Sequence, residues 1–259
     1  MDLDVKGSEK EYTMITSAIN YLRDPCILVE DGVYYAYGTG WVCYKNKQTG
    51  RHGCTILKSD SPEGPFTEIT GGQITPAEWD AIDGTLYVDP EGQPWMVFVH
   101  EWISMPDKVG TFAAARLSED LTHFISEPFE LFRADEPAWA VMGVTDGCWL
   151  YTTREGDLLM IWSNFDAFGY TVAVARSSNG RLDGEWIHEK ELLYSKAMTG
   201  EFDGGHAMIF TGLDGQMYLS FHSPNAAVGN RKEKPVFLAI EEKDGRLVWA
   251  ESEVAGGRE

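Results

Sequence analysis

Short apolar runs separated by turn residues recur along the chain at a nearly fixed interval. A run, a turn carrying Asp/Glu-Gly and a second, aromatic-rich run appear as DPCILVEDGVYYAYGTG from Asp24, DGTLYVDPEGQPWMVFVHEW from Asp83, DGCWLYTTREGDLLMIWSNF from Asp146 and GHAMIFTGLDGQMYLSFHSPN from Gly205. The turn glycines Gly32, Gly92, Gly156 and Gly215 lie 60, 64 and 59 residues apart. After each pair come a third run and a Ser/Asp/Gly-rich turn leading into a short fourth segment. Runs rich in Val, Ile, Tyr and Phe between such turns read as strands joined by hairpins, so each repeat predicts a four-stranded antiparallel meander. The fold class is all-β. Repeated four-stranded units that cannot bury both faces alone pack radially, as blades of a β-propeller. A β-sandwich gives no reason for a sixty-residue period.

This architecture decides which residues share a face. If each innermost strand begins at the top of the propeller, its hairpin turn lies at the bottom and the second strand climbs back. The starts of first strands and the ends of second strands then meet. The first set holds Asp24, Asp83, Asp146 and His206. The second holds Thr39-Gly40-Trp41, His100-Glu101-Trp102, Ser163-Asn164-Phe165 and His222-Ser223-Pro224-Asn225. The bottom-end residues Asp31, Glu91, Glu155 and Asp214 have a similar composition but occupy tight turns, where Asp is favoured for backbone reasons. They are assigned no chemistry.

Composition narrows the partners. The chain has 259 residues, 43% of them apolar, and its glycines and prolines are dispersed, so residues 1–259 are expected to form a single domain. A formal charge of −20 repels phosphate backbones and anionic head groups, which excludes nucleic acid and membrane surfaces but is indifferent to a neutral sugar. Cys26, Cys43, Cys54 and Cys148 lack metal-binding spacing and read as buried free thiols. Residues 1–10 are charged, with no apolar leader segment, and no later run approaches a membrane span. Cytoplasmic location is the expectation, with secretion the alternative if a leader has been removed.

Three aspartates at inner-strand starts can supply the two carboxyl groups that glycosidic cleavage needs, one protonated and one ionised. A lone Asp before Pro or Gly is ordinarily a turn residue, but Asp83 and Asp146 share one phase of the repeat and Asp24 starts an equivalent strand. Crowding around a channel raises the pKa of at least one carboxyl, as an acid working near neutrality requires. Trp41 and Trp102, which follow strands, and Phe165 are the candidate sugar-stacking rings. His100 and His222 are candidates for contacts to sugar hydroxyls, and Trp149 and Trp162 are expected in the core.

The segments Arg23-Asp24-Pro25, WDAIDGTLYVD from Trp79, Thr145-Asp146-Gly147 and Gly204-Gly205-His206 stand in an order and at a spacing that resemble the family 43 glycoside hydrolases over nearly the whole chain. The resemblance implies a five-bladed propeller and hydrolysis, with inversion, of arabinose- and xylose-containing oligosaccharides or polysaccharides. By motif, Asp24 resembles the base and Asp83 the residue that tunes the acid's pKa, while Asp146 occupies the acid position. His206 resembles a channel histidine that in many members contacts water or a bound cation. No cofactor is required, and the metal the resemblance suggests is a channel cation such as calcium at His206. Where the family usually has Glu-Gly-Pro, this chain has Asp146-Gly147-Cys148, one methylene shorter, so Glu101 is the reserve acid. Only four repeats are counted. Either Glu11–Ile19 and the segment after Pro235 combine into an additional partial blade, or the propeller is contracted, and the alternative function is then a catalytically degenerate propeller that binds glycans after losing a blade or its acid.

Overall fold

The computed structural model describes residues 14–16, 23–39 and 48–251. Its strands are β1 (Met14–Thr16), β2 (Arg23–Glu30), β3 (Val33–Thr39), β4 (Leu57–Lys58), β5 (Thr67–Glu68), β6 (Ala81–Val88), β7 (Pro94–His100), β8 (Thr111–Arg116), β9 (Phe129–Arg133), β10 (Asp146–Thr152), β11 (Leu158–Asp166), β12 (Gly169–Ser177), β13 (Trp186–His188), β14 (Gly205–Thr211), β15 (Met217–Ser223), β16 (Lys234–Lys243) and β17 (Arg246–Trp249). Among the described residues no helix is long and apolar enough to cross a membrane.

The protein is a β-propeller. The second and third repeats form the expected meanders, β6–β9 and β10–β13. The first repeat departs from the pattern: β2 pairs with β3, and β4 with β5, as two separate ladders. In the last repeat β14, β15 and β16 are sequential, and β16 carries both β1 and β17 on its far edge, β1 against Val236–Leu238 and β17 against Ile240–Lys243. The chain ends therefore do combine, as one alternative from sequence required, but they complete the fourth blade instead of adding a fifth. Of the Glu11–Ile19 stretch, residues 11–13 and 17–19 lie outside the described residues.

Alternation along the strands explains the stacking, because successive side chains leave opposite faces of a sheet. In the β6–β9 blade, Trp95, Val97, Val99, Phe112 and Ala114 face the β10–β13 blade and pack with Cys148, Leu158, Met160 and Trp162. The intervening Met96, Phe98 and Ala113 face the other way, onto Cys54, Ile56, Ile74 and Trp79. Likewise Leu159 and Ile161 turn to the β14–β16 blade, meeting Leu219, Phe221, Val236 and Leu238. The outer face of that blade meets the first repeat, where Phe210 lies edge-on to Tyr34 and the Tyr34 hydroxyl accepts the Leu213 N–H. The segment around β4 and β5 thus occupies a layer beyond the β6–β9 blade. It supplies the third and fourth runs of the first repeat.

Candidate active site

Backbone geometry builds the site first. Each inner strand starts with a register shift, at Arg23/Cys26, Ile82/Thr85, Asp146/Cys148 and Gly205/Met208. The residue inside each bulge adopts left-handed φ: Asp24 at 51°, Asp83 at 56°, Gly147 at 52° and His206 at 57°. A non-glycine residue held at positive φ is uncommon and costs roughly 1–3 kcal/mol, so three in equivalent places mark a position fixed by its surroundings. Bulges re-aim side chains, and these turn theirs toward one centre. The shared phase expected for Asp83 and Asp146 needs correction, since the equivalent of Asp83 is Gly147 and Asp146 stands one residue earlier. The predicted pairing of strand ends is present in the ladder itself: Arg23 faces Thr39, Ala81 faces His100, Asp146 faces Ser163 and Gly205 faces His222.

Asp24, Asp83, Asp146 and His206 come together. His206 Nδ1 lies 3.3 Å from Asp24 Oδ1 and 3.8 Å from Asp83 Oδ2. Asp83 Oδ2 accepts the Gly147 N–H at 3.0 Å, and Asp146 Oδ2 accepts the Tyr170 hydroxyl at 3.0 Å. Further bonds join one blade to the next. Thr85 donates to the Cys148 carbonyl, His206 N–H to Ser163 Oγ, and Ser220 to the Pro25 carbonyl. Glycine is required at 147, where an added Cβ would stand 2.8 Å from a His206 ring carbon.

Electrostatics separates the roles. Burial pushes the Asp146 carboxyl up to about 7, the Asp83 charge adds to the rise, and His206 and the Tyr170 hydroxyl oppose it. Asp83 is also raised, chiefly by burial, against His206 and the Gly147 N–H, which favour its ionised form. For His206 burial favours the neutral ring, but the fields of Asp83, Asp24 and Asp146 together outweigh it and hold the imidazole above its usual value.

The remaining predicted residues fall in different places. His222 is fully buried beneath Asp24, so it supports that carboxylate and does not face a sugar. Arg23 donates to Asn225 Oδ1, which makes that oxygen the acceptor for His222 Nε2 at 3.2 Å. In the neutral ring Nδ1 is then the acceptor for the Asp24 N–H at 3.3 Å, and its 3.1 Å contact with Asp24 Oδ1 becomes an ion pair only on protonation. His100 is buried and stacked 3.9 Å over Trp79, again a supporting position. Phe165 is half-buried against Tyr170, Trp102 is 42% exposed on the rim, and Trp41 lies outside the described residues. Cys54 and Cys148 are buried free thiols, Cys26 is free and half-buried, and Cys43 is outside the described residues.

Glu101 belongs to a neighbouring cluster. Its Oε2 lies 2.8 Å from His52 Nδ1, and Asp80 Oδ2 accepts from Arg51 at 2.6 Å. His52, Asp80 and Glu101 bring three ligand-type atoms within 4.8 Å of one another, but Arg51 already supplies the positive charge there. Burial raises the Glu101 carboxyl, against the His52 hydrogen bond. Sequence reasoning missed Tyr170, His52 and Asp80. Tyr170 stands at the start of a third strand, and the third strand of each blade, like the first, begins at the top.

The model of the glycosyl hydrolases family 43 matches residues 11–245. Among solved structures, an endo-arabinase from Bacteroides thetaiotaomicron is 32% identical, covering 91% of this chain and 99% of that one with a TM-score of 0.74. A thermostable family-43 glycoside hydrolase is 16% identical over 94% of this chain and 98% of that one, TM-score 0.78. An alpha-L-arabinofuranosidase from Lactobacillus brevis is 17% identical over 85% and 72%, TM-score 0.61. The latter two likenesses are of fold. No curated protein matches the chain.

Proposed function

The chain belongs to the glycosyl hydrolases of family 43, and on that premise we propose that this glycoside hydrolase cleaves arabinofuranosyl or xylosyl linkages of plant-type glycans with inversion. The observation that carries the reading is the convergence of Asp24, Asp83 and Asp146 around His206 at the starts of the inner strands. The 32% identity to an endo-arabinase favours arabinosyl over xylosyl linkages. Oligosaccharides or polysaccharides are the partners, and no cofactor enters the step.

In this mechanism Asp146, poised near neutrality, gives its proton to the glycosidic oxygen as the bond from that oxygen to the anomeric carbon breaks and its electron pair goes to the leaving group. Asp24 takes a proton from the water that attacks the opposite face. The inverted sugar and the leaving alcohol depart, and proton exchange with solvent resets both carboxyls. Asp83 stays in place, bracing the backbone beside Asp146 through the Gly147 N–H and keeping the acid protonated by its charge. Asp146 is preferred to Glu101 as acid because it adjoins Asp83 and His206, whereas Glu101 is tied to His52.

The test is hydrolysis of 4-nitrophenyl α-L-arabinofuranoside, the matching β-xyloside and linear arabino-oligosaccharides by wild type and Asp24→Asn, with the first-formed anomer read by proton NMR. Expected are an inverted product and a loss of about a thousandfold or more in the variant. A retained anomer, or full activity in Asp24→Asn, overturns the reading.

A further inference from the structure

We propose that Tyr170 is the positioning residue of the general acid: its buried hydroxyl holds Asp146 Oδ2 and so directs the transferable proton to Oδ1. The inference rests on Asp146 being the acid. An oxygen that accepts a hydrogen bond is the less favourable place for the carboxyl proton, so the donor at 3.0 Å on Oδ2 leaves Oδ1 as the oxygen that carries it. An aspartate reaches one methylene less far than a glutamate and tolerates little freedom in aim, which makes a fixed rotamer part of its ability to donate.

The surroundings of Tyr170 are built for this. Its N–H donates to Asp203 Oδ2 at 3.2 Å and its carbonyl accepts the Gly204 N–H at 3.1 Å, so both sides of its backbone are clamped. The ring is buried, 5.0 Å from Phe165 and 5.7 Å from the His222 ring that supports Asp24. It passes so close to Gly205 that an added Cβ would lie 2.5 Å from a ring carbon. The glycine of one blade therefore gives the tyrosine of another its path to the carboxylate of a first strand. A tyrosine serving only to fill space needs neither that path nor a polar end aimed at a titrating group.

The experiment uses Tyr170→Phe, which keeps the ring, with two readouts. In the first, carboxyl carbon NMR follows the Asp146 titration without substrate. Loss of the donor favours the protonated form, so the midpoint moves up from about 7. Biosynthetic replacement of tyrosine by 3-fluorotyrosine, a more acidic phenol and stronger donor, moves it down. In the second, turnover of a linear arabino-oligosaccharide, which needs proton donation, falls about tenfold or more, while turnover of 2,4-dinitrophenyl arabinofuranoside, whose leaving group does not, changes less than about twofold. An unmoved titration, or equal losses on both substrates, overturns the proposal. Asp146→Asn separates the two readings: if it spares the oligosaccharide, the assignment of the acid fails and this inference with it. If it abolishes that activity while Tyr170→Phe leaves the titration and the substrate ratio unchanged, only the inference fails.

Discussion

At the residue scale, the site concentrates groups whose folded protonation differs from that of the unfolded chain, and stability must depend on pH in consequence. An unfolded aspartate titrates near 3.9, roughly three units below the value of about 7 for Asp146. Between those limits the folded state holds a proton that the unfolded chain releases. The stability tied to it is fully present below the unfolded value and is lost as pH rises through about 7. Asp83, also raised, acts in the same direction. So does His206, whose stabilisation is present below its unfolded value of about 6.5 and disappears as pH passes its higher folded one. The thermal midpoint should therefore fall between pH 5 and pH 8. Asp146→Asn should flatten that slope and melt a few degrees above wild type at pH 8 while losing glycosidase activity. Scanning calorimetry at several pH values checks this, and an Asn variant less stable at pH 8 would count against the buried-acid account.

At the scale of elements, strands divide their residues between packing and function by position along their length. Trp162, in the middle of β11, is fully buried between blades, with Phe112 at 5.8 Å and Phe132 at 5.2 Å. Trp102 follows the end of β7 and stands 42% exposed on the rim. Trp162→Ala should destabilise by about 3–5 kcal/mol, because burial and cavity terms add where neighbours cannot collapse. Trp102→Ala should change stability by less than about 0.5 kcal/mol and raise KM for oligosaccharides, as loss of a stacking surface would. Urea titrations and initial rates on both variants read the contrast. If Trp102→Ala left KM unchanged, its ring would have no part in holding the sugar.

For the whole molecule, 41 acidic against 21 basic side chains create self-repulsion that folding concentrates. The described surface pairs some of these charges, as where Arg246 bridges Glu189 and Glu191 and Arg176 meets Asp157 and Glu189, but twenty negative charges remain uncompensated in the chain. Raising sodium chloride from about 10 mM to about 300 mM shortens the Debye length from about 30 Å to below 8 Å, so the thermal midpoint should rise with salt. A fall would mean that surface ion pairs contribute more than the net repulsion removes.

What depends on neighbours along the chain was legible in the residues alone. Apolar alternation, turn glycines and the sixty-residue period define the strands, the blades and the end of the propeller where Asp24, Asp83, Asp146 and His206 gather. Tertiary structure decided what depends on register between strands. A bulge shifts the pattern by one residue without altering composition, so the offset between Asp83 and Asp146 is invisible until Gly147 is seen in the left-handed conformation. Contacts between blades are set by distances across sixty or more residues, which is why His222 reads from sequence as a sugar ligand but folds into a support for Asp24. The closing of the last blade by β1 and the path of Tyr170 past Gly205 to Asp146 have the same origin. Both require segments far apart in sequence to be packed against one another before either residue has a partner.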